Sequence, residues 1–168
     1  MHGDESVIPT LWALYVSEDA ATATAACVAL EYLGTSAAID ALTALAGEPA
    51  GVSHRAALVD TLAGVGTRDC VPVLLQMLDD HRPCEVPSRA DATARRVLAG
   101  VQAQGDGAAW STHTSSRRTP QTLSERAAAA LRRITGLAEP FSSAGSPEQQ
   151  AAARRVWTEW YERGLPTD

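Results

Sequence analysis

Ala29-Leu30-Glu31-Tyr32-Leu33-Gly34-Thr35, followed by Ala38-Ile39-Asp40-Ala41-Leu42-Thr43-Ala44-Leu45, decides the fold, because the chain carries this passage twice. Thr61-Leu62-Ala63-Gly64-Val65-Gly66-Thr67 and Cys70-Val71-Pro72-Val73-Leu74-Leu75-Gln76-Met77 repeat it about 32 residues later. A period of that size marks a stacked array of helical hairpins, each too thin to bury its own apolar face. Arrays of this kind usually hold other molecules rather than transform them.

Read outward from the repeat, the chain is helical throughout. A first helix is predicted over residues 6–16, with Ile8, Leu11, Leu14 and Tyr15 on one stripe. A second runs over about 19–33, with Ala26, Leu30 and Leu33 inward and Gly34 as its C-cap. Ser36 is expected to cap the next helix, through Ile39, Leu42 and Leu45 to a break at Gly47-Glu48-Pro49. Ser53 opens a fourth, with Ala57, Leu58, Leu62 and Val65 inward and Gly66 closing it. Asp69 caps a fifth, carrying Val71, Leu74, Met77 and Leu78. Ile8, Leu11 and Leu14 superpose on Ile39, Leu42 and Leu45, and on Val71, Leu74 and Met77. The first helix is therefore half a repeat and a terminal cap. Beyond Asp80 the period slips, and Val97 to Val101 echoes Thr61 to Val65 at a shift of about 36 residues. Leu123 to Ile134 reads as a helix ended by Thr135-Gly136. Ser146-Pro147-Glu148 starts a last one, with proline at N1 and an acid in the first turn.

The fold class that follows is all-α: an α-solenoid of stacked antiparallel helix pairs, about 7–8 helices in one domain over 1–168. Clear repeats cover about 6–80, an irregular repeat 88–102, a polar insertion 103–121, and C-terminal capping helices 122–163. No strand is expected.

Arg55, Leu58, Leu62, Val65 and Gly66, then Val71, Leu74 and Met77, resemble the HEAT repeats of the short bacterial subtype first associated with phycobilisome lyases. Residues 25–46 fit the same pattern, with Ala23 where the subtype has arginine. Ala130-Leu131-Arg132-Arg133-Ile134-Thr135-Gly136 before a polar loop and a Trp-rich helix (Trp157, Trp160) resembles the C-terminal end of such proteins. The resemblance covers about two thirds of the chain. It implies a HEAT-like scaffold and says little of function, since relatives include scaffolds, chromophore-lyase subunits and, distantly, DNA glycosylases. No catalytic motif carries over.

Composition narrows the field. Alanine makes up roughly a fifth of the 168 residues, which favours closely packed helices. No apolar run is long enough for a bilayer. Met1-His2-Gly3-Asp4-Glu5 lacks the basic start of a signal peptide, so the cytoplasm is expected. Cys27, Cys70 and Cys84 lack close pair spacing and read as buried free thiols. Lysine is absent, which excludes a Schiff-base or phosphate-loop lysine. Residues 1–54 hold seven acids, Asp4, Glu5, Glu18, Asp19, Glu31, Asp40 and Glu48, and no Lys or Arg. With a net charge of -6, that third should repel nucleic acid and acidic membranes and attract basic surfaces.

His81 and Cys84 near Asp79 and Asp80 lack the further ligands a zinc site needs, so no metal and no cofactor is expected. The scattered histidines point to no catalytic residue, and the chain is read as a non-enzyme. Trp157, Trp160 and Tyr161 form either core or an exposed interface. The second helices should line the inner face of a curved array, placing Trp12, Asp40, Thr43, Leu75, Gln76 and Asp79 together as a partner-binding surface for a basic or apolar protein or peptide. The alternatives are nucleic-acid binding through the arginine-rich C-terminal half, and a lyase or chaperone subunit acting on a chromophore or enzyme. Self-association between the acidic N-end and the arginine-rich C-end is also consistent with this charge pattern.

Overall fold

The computed structural model describes residues 4–17, 19–84 and 121–164. Among them lie seven α-helices: α1 (Ile8–Tyr15), α2 (Ala20–Leu33), α3 (Ser36–Leu45), α4 (Val52–Val65), α5 (Val71–Met77), α6 (Leu123–Thr135) and α7 (Pro147–Arg163). Short 3-10 turns, Glu5–Val7 and Arg68–Cys70, lead into α1 and α5. The predicted all-α class holds with one correction. Pro83–Cys84 (β1) and Gln121–Thr122 (β2) pair antiparallel, Pro83 opposite Thr122 and Cys84 opposite Gln121. This two-rung ladder joins the chain on either side of residues 85–120, so the expected irregular repeat at 88–102 and most of the insertion at 103–121 lie outside the described residues.

The helix ends follow from side-chain chemistry. Gly34 and Gly66 close α2 and α4 at φ +61 and +68, a left-handed conformation that costs an L side chain about 1–2 kcal/mol. Asp19 caps α2, accepting from the Thr22 amide at 2.9 Å. At three starts the structure departs from the predicted cap. Thr35, not Ser36, caps α3, since Thr35 has the extended backbone a cap requires and its hydroxyl accepts from the Ala38 amide at 3.2 Å. Gly51, not Ser53, precedes α4. Asp69 lies within the 3-10 turn instead of capping α5. Thr122 with Glu125, and Ser146 with Gln149, form reciprocal capping boxes for α6 and α7.

Packing runs in two series. Helix α2 lies against α4 and α4 against α6; α1 touches α3, α3 touches the 3-10 turn that opens α5, and α5 touches α7. The core between them is aliphatic: Leu30, Leu42, Leu45, Leu58, Leu62, Leu74 and Leu131 are fully buried. Each such leucine contributes about 1.5–3 kcal/mol. Alanines and Cys27 let α2 and α4 approach closely, and the Cys27 thiol, hydrogen-bonded with Thr61, is pushed up to about 12 by burial. All three cysteines are free and buried, as expected. The aromatic question resolves as core: Trp157 is fully buried beside Phe141, Trp160 is buried, and Tyr161 is partly covered. Arg68 holds the end of α7, donating to the Tyr161 carbonyl while its guanidinium lies 5.1 Å from the Tyr161 ring centre.

Helix α1 departs from its expected register. Tyr15 is fully buried, edge-on to His54 at 5.8 Å, whereas Leu14 is 40% exposed. Among the described residues α1 packs mainly against α2 and α3, with Tyr15 reaching His54 of α4; Leu14 is left towards solvent, whereas its counterparts Leu45 and Met77 are buried. The Tyr15 hydroxyl has no hydrogen-bond partner among the described residues, and burial pushes its pKa well up.

Two predictions follow from this interior. Tyr15→Phe removes a buried hydroxyl that bonds nothing, so the melting temperature should hold or rise. A loss above about 1 kcal/mol in chemical denaturation would reveal a bond to that hydroxyl. Asp19, Asp80 and Glu125 are held below the usual carboxylate range by the Thr22 hydroxyl, the Arg82 guanidinium and the Ser143 hydroxyl respectively. Their folded pKa values lie under their unfolded ones, so in acid the unfolded chain binds more protons. Stability is therefore complete at neutral pH and should fall progressively as pH drops from about 5 towards 3, as denaturation midpoints would record.

Candidate partner-binding cleft

Helical spacing puts one stripe of each first-series helix on a common side. On α2 the stripe is Val28, Glu31 and Tyr32; on α4 it is Asp60 and Gly64; on α6 it is Arg126, Ala129 and Arg133. Of these, Val28, Glu31, Tyr32, Asp60, Gly64 and Arg133, with Ile39, Val65 and Thr67, line an open cleft of about 660 Å³, while Arg126 and Ala129 line a smaller adjoining hollow of about 240 Å³ between α4 and α6. Asp60 and Arg133 border both.

The two repeats differ in bulk along this cleft. Tyr32 and Gly64 occupy equivalent places in the duplicated passage and both line the cleft, so a ring stands on the α2 side and bare backbone on the α4 side. A Cβ at Gly64 would run into the Glu31 carboxylate, which lies over that glycine. Tyr32 is 71% exposed, the most exposed large apolar side chain described. Charge is divided between the walls. Glu31 stands on α2 and makes no hydrogen bond or ion pair among the described residues. Arg133 stands on α6, likewise unpaired. Between them Arg126 donates to Asp60 through Nε at 3.3 Å and Nη2 at 2.5 Å.

No family model, curated protein or solved structure matches the chain.

The residues singled out from sequence are distributed over the second series. Trp12 on α1 and Leu75 on α5 are partly buried against the core. Asp40 and Gln76 are exposed on α3 and α5, while the Thr43 hydroxyl turns back to donate to the Asp40 carbonyl at 2.8 Å. Asp79 is exposed and paired with Arg154 of α7, so the last helix supplies a cation at that end of the face. None of the six lines the cleft. Sequence reading missed Tyr32, Glu31, Gly64 and Arg133, although the Tyr32-for-Gly64 mismatch stood inside the repeat itself.

No group of three or more potential metal ligands occurs among the described residues. His81 Nδ1 lies 3.2 Å from the Ser124 hydroxyl. Ser124 is fully buried and its hydroxyl also contacts the Thr122 hydroxyl at 2.9 Å, so this pair braces the start of α6 and presents no accessible nucleophile.

Gly34 and Gly64 should respond oppositely to alanine. Gly34→Ala places a side chain in left-handed backbone and should cost about 1–2 kcal/mol in denaturant unfolding. Gly64→Ala displaces only the tip of Glu31 and removes a mid-helix glycine, so stability should hold or rise by up to about 1 kcal/mol.

Proposed function

We propose that the chain is a non-catalytic adaptor, a HEAT-like α-solenoid that holds a protein or peptide partner in the cleft across α2, α4 and α6. One observation carries this reading: an almost fully presented tyrosine, Tyr32, stands on the rim of a cleft with apolar lining and opposed charges. Tyrosine exposed in this way is typical of binding hot spots, where truncation commonly costs 2 kcal/mol or more (roughly thirtyfold). The continuous touching of α2, α4 and α6 supports the solenoid, since each contact covers an apolar flank its neighbour leaves open.

The described arginines favour a protein partner over nucleic acid. Arg55, Arg68, Arg82, Arg126, Arg132, Arg154 and Arg163 are all engaged within the chain, and among the described arginines Arg133 and Arg155 stand uncommitted. Phosphate binding needs such charges clustered and free. No helix among the described residues is long and apolar enough to cross a membrane. A cytoplasmic setting belongs to the same proposal, in keeping with three unpaired thiols.

The test is affinity capture from an extract of the source organism with three baits: the wild-type chain, Tyr32→Ala, and Asp40→Ala/Gln76→Ala. Recovery of a specific protein should fall at least about tenfold with Tyr32→Ala and persist with the double variant. Loss with the double variant alone would move the site to the second helices, and indifference to both would reject each face.

A further inference from the structure

Resting on the cleft reading, we infer that the α2 wall is a subsite for a single cationic side chain, an arginine or lysine presented by an extended partner segment. Three features of that wall converge on a cation. Glu31 is partly buried, its carboxylate lies against Gly64, and no donor reaches it among the described residues. An incoming guanidinium or ammonium would supply the charge-assisted hydrogen bond that this carboxylate lacks there. Tyr32, the next residue, offers an exposed ring, and a ring beside a carboxylate is a good receptor for a cation with an aliphatic stem. Val28, Ile39 and Val65 supply apolar lining along which the methylene groups of that stem pack.

Among the described residues no basic side chain pairs with Glu31. Residues 1–54 contain no Lys or Arg, so α1, α2 and α3 offer no basic side chain to fill the subsite. Arg133, on the far wall, makes no ion pair with Glu31. Its charge sets direction: an occupant with its cation at Glu31 is favoured when an acidic or neutral residue follows towards α6, and disfavoured when a second cation does. The net charge of -6 speeds the approach of cationic segments and makes the association salt-sensitive. A neutral or acidic segment gains none of this and would leave Glu31 unsatisfied.

The probe is a phage-displayed library of random dodecapeptides panned on the full chain, with recovered peptides measured by fluorescence anisotropy. Peptides should carry an Arg or Lys whose replacement by Ala weakens binding about tenfold, as should Glu31→Gln. The two losses should not add: in the Glu31→Gln protein, replacing the peptide cation should change little. Glu31→Arg should restore binding to a peptide in which that cation becomes Glu. Arginine-to-lysine exchange in the peptide reports which head group the ring prefers. Recovered peptides that depend on Tyr32 but lack a cation, or ignore Glu31→Gln, would overturn the subsite and leave the cleft standing. Peptides indifferent to both Tyr32→Ala and Glu31→Gln, or no enrichment over a bare-surface control, would overturn the cleft reading as well.

Discussion

Helix α4 sets the terms for everything around it. Half of its length is buried, and those residues, His54, Ala56, Ala57, Leu58, Val59, Thr61 and Leu62, go round more than one side of the helix. Such a helix has no stable existence on a surface. It requires α2 on one flank and α6 on another, with α3 closing against it as well. Small residues make the approach possible: Ala23, Ala26 and Cys27 on α2 present little bulk, so Leu58 and Leu62 reach the shared interior. Hydrophobic burial is thus distributed between elements, and no helix pair holds a core of its own.

The same arrangement leaves the first-series helices with a free outer stripe, and the cleft is cut into that stripe by a local asymmetry. Where two successive helices of an array carry equal side chains, their free stripes make a ridge. Here α2 carries Tyr32 where α4 has Gly64, and the backbone at that glycine, overlain by the Glu31 carboxylate, becomes part of the wall. The opposite series is more fully used. Its end is covered by α7, whose tryptophans enter the core and whose Arg154 takes Asp79. Surface available to a partner is decided by which faces the chain has already spent on itself.

How much of this could be read from the sequence depends on the range of the interaction concerned. Gly34, Gly66 and Gly136 were legible as helix ends because left-handed backbone selects glycine locally. The choice between Thr35 and Ser36 was not, since both are hydroxyl residues and the cap depends on a one-residue phase. Leu14 and Tyr15 were placed on one stripe, and only the tertiary contact of Tyr15 with His54 on α4 shows that the tyrosine goes inward. Asp79 meets a partner 75 residues further on, which no local pattern encodes. The cleft was half visible: the repeat matched Tyr32 with Gly64, but that Glu31 lies over that glycine and that these residues line one cleft is a tertiary fact.

The ladder between Pro83–Cys84 and Gln121–Thr122 has a topological consequence. It is reinforced by the Leu123 amide donating to the Arg82 carbonyl at 3.1 Å and the Ser124 amide donating to the Asp80 carbonyl at 2.9 Å. The strand where the chain departs and the strand where it returns are fastened to each other, so the covalent path through residues 85–120 is not what brings α6 to α4. A backbone nicked within that stretch would yield two fragments that still hold matching halves of one interface, the material from which a two-piece, reassembling version of this molecule could be made.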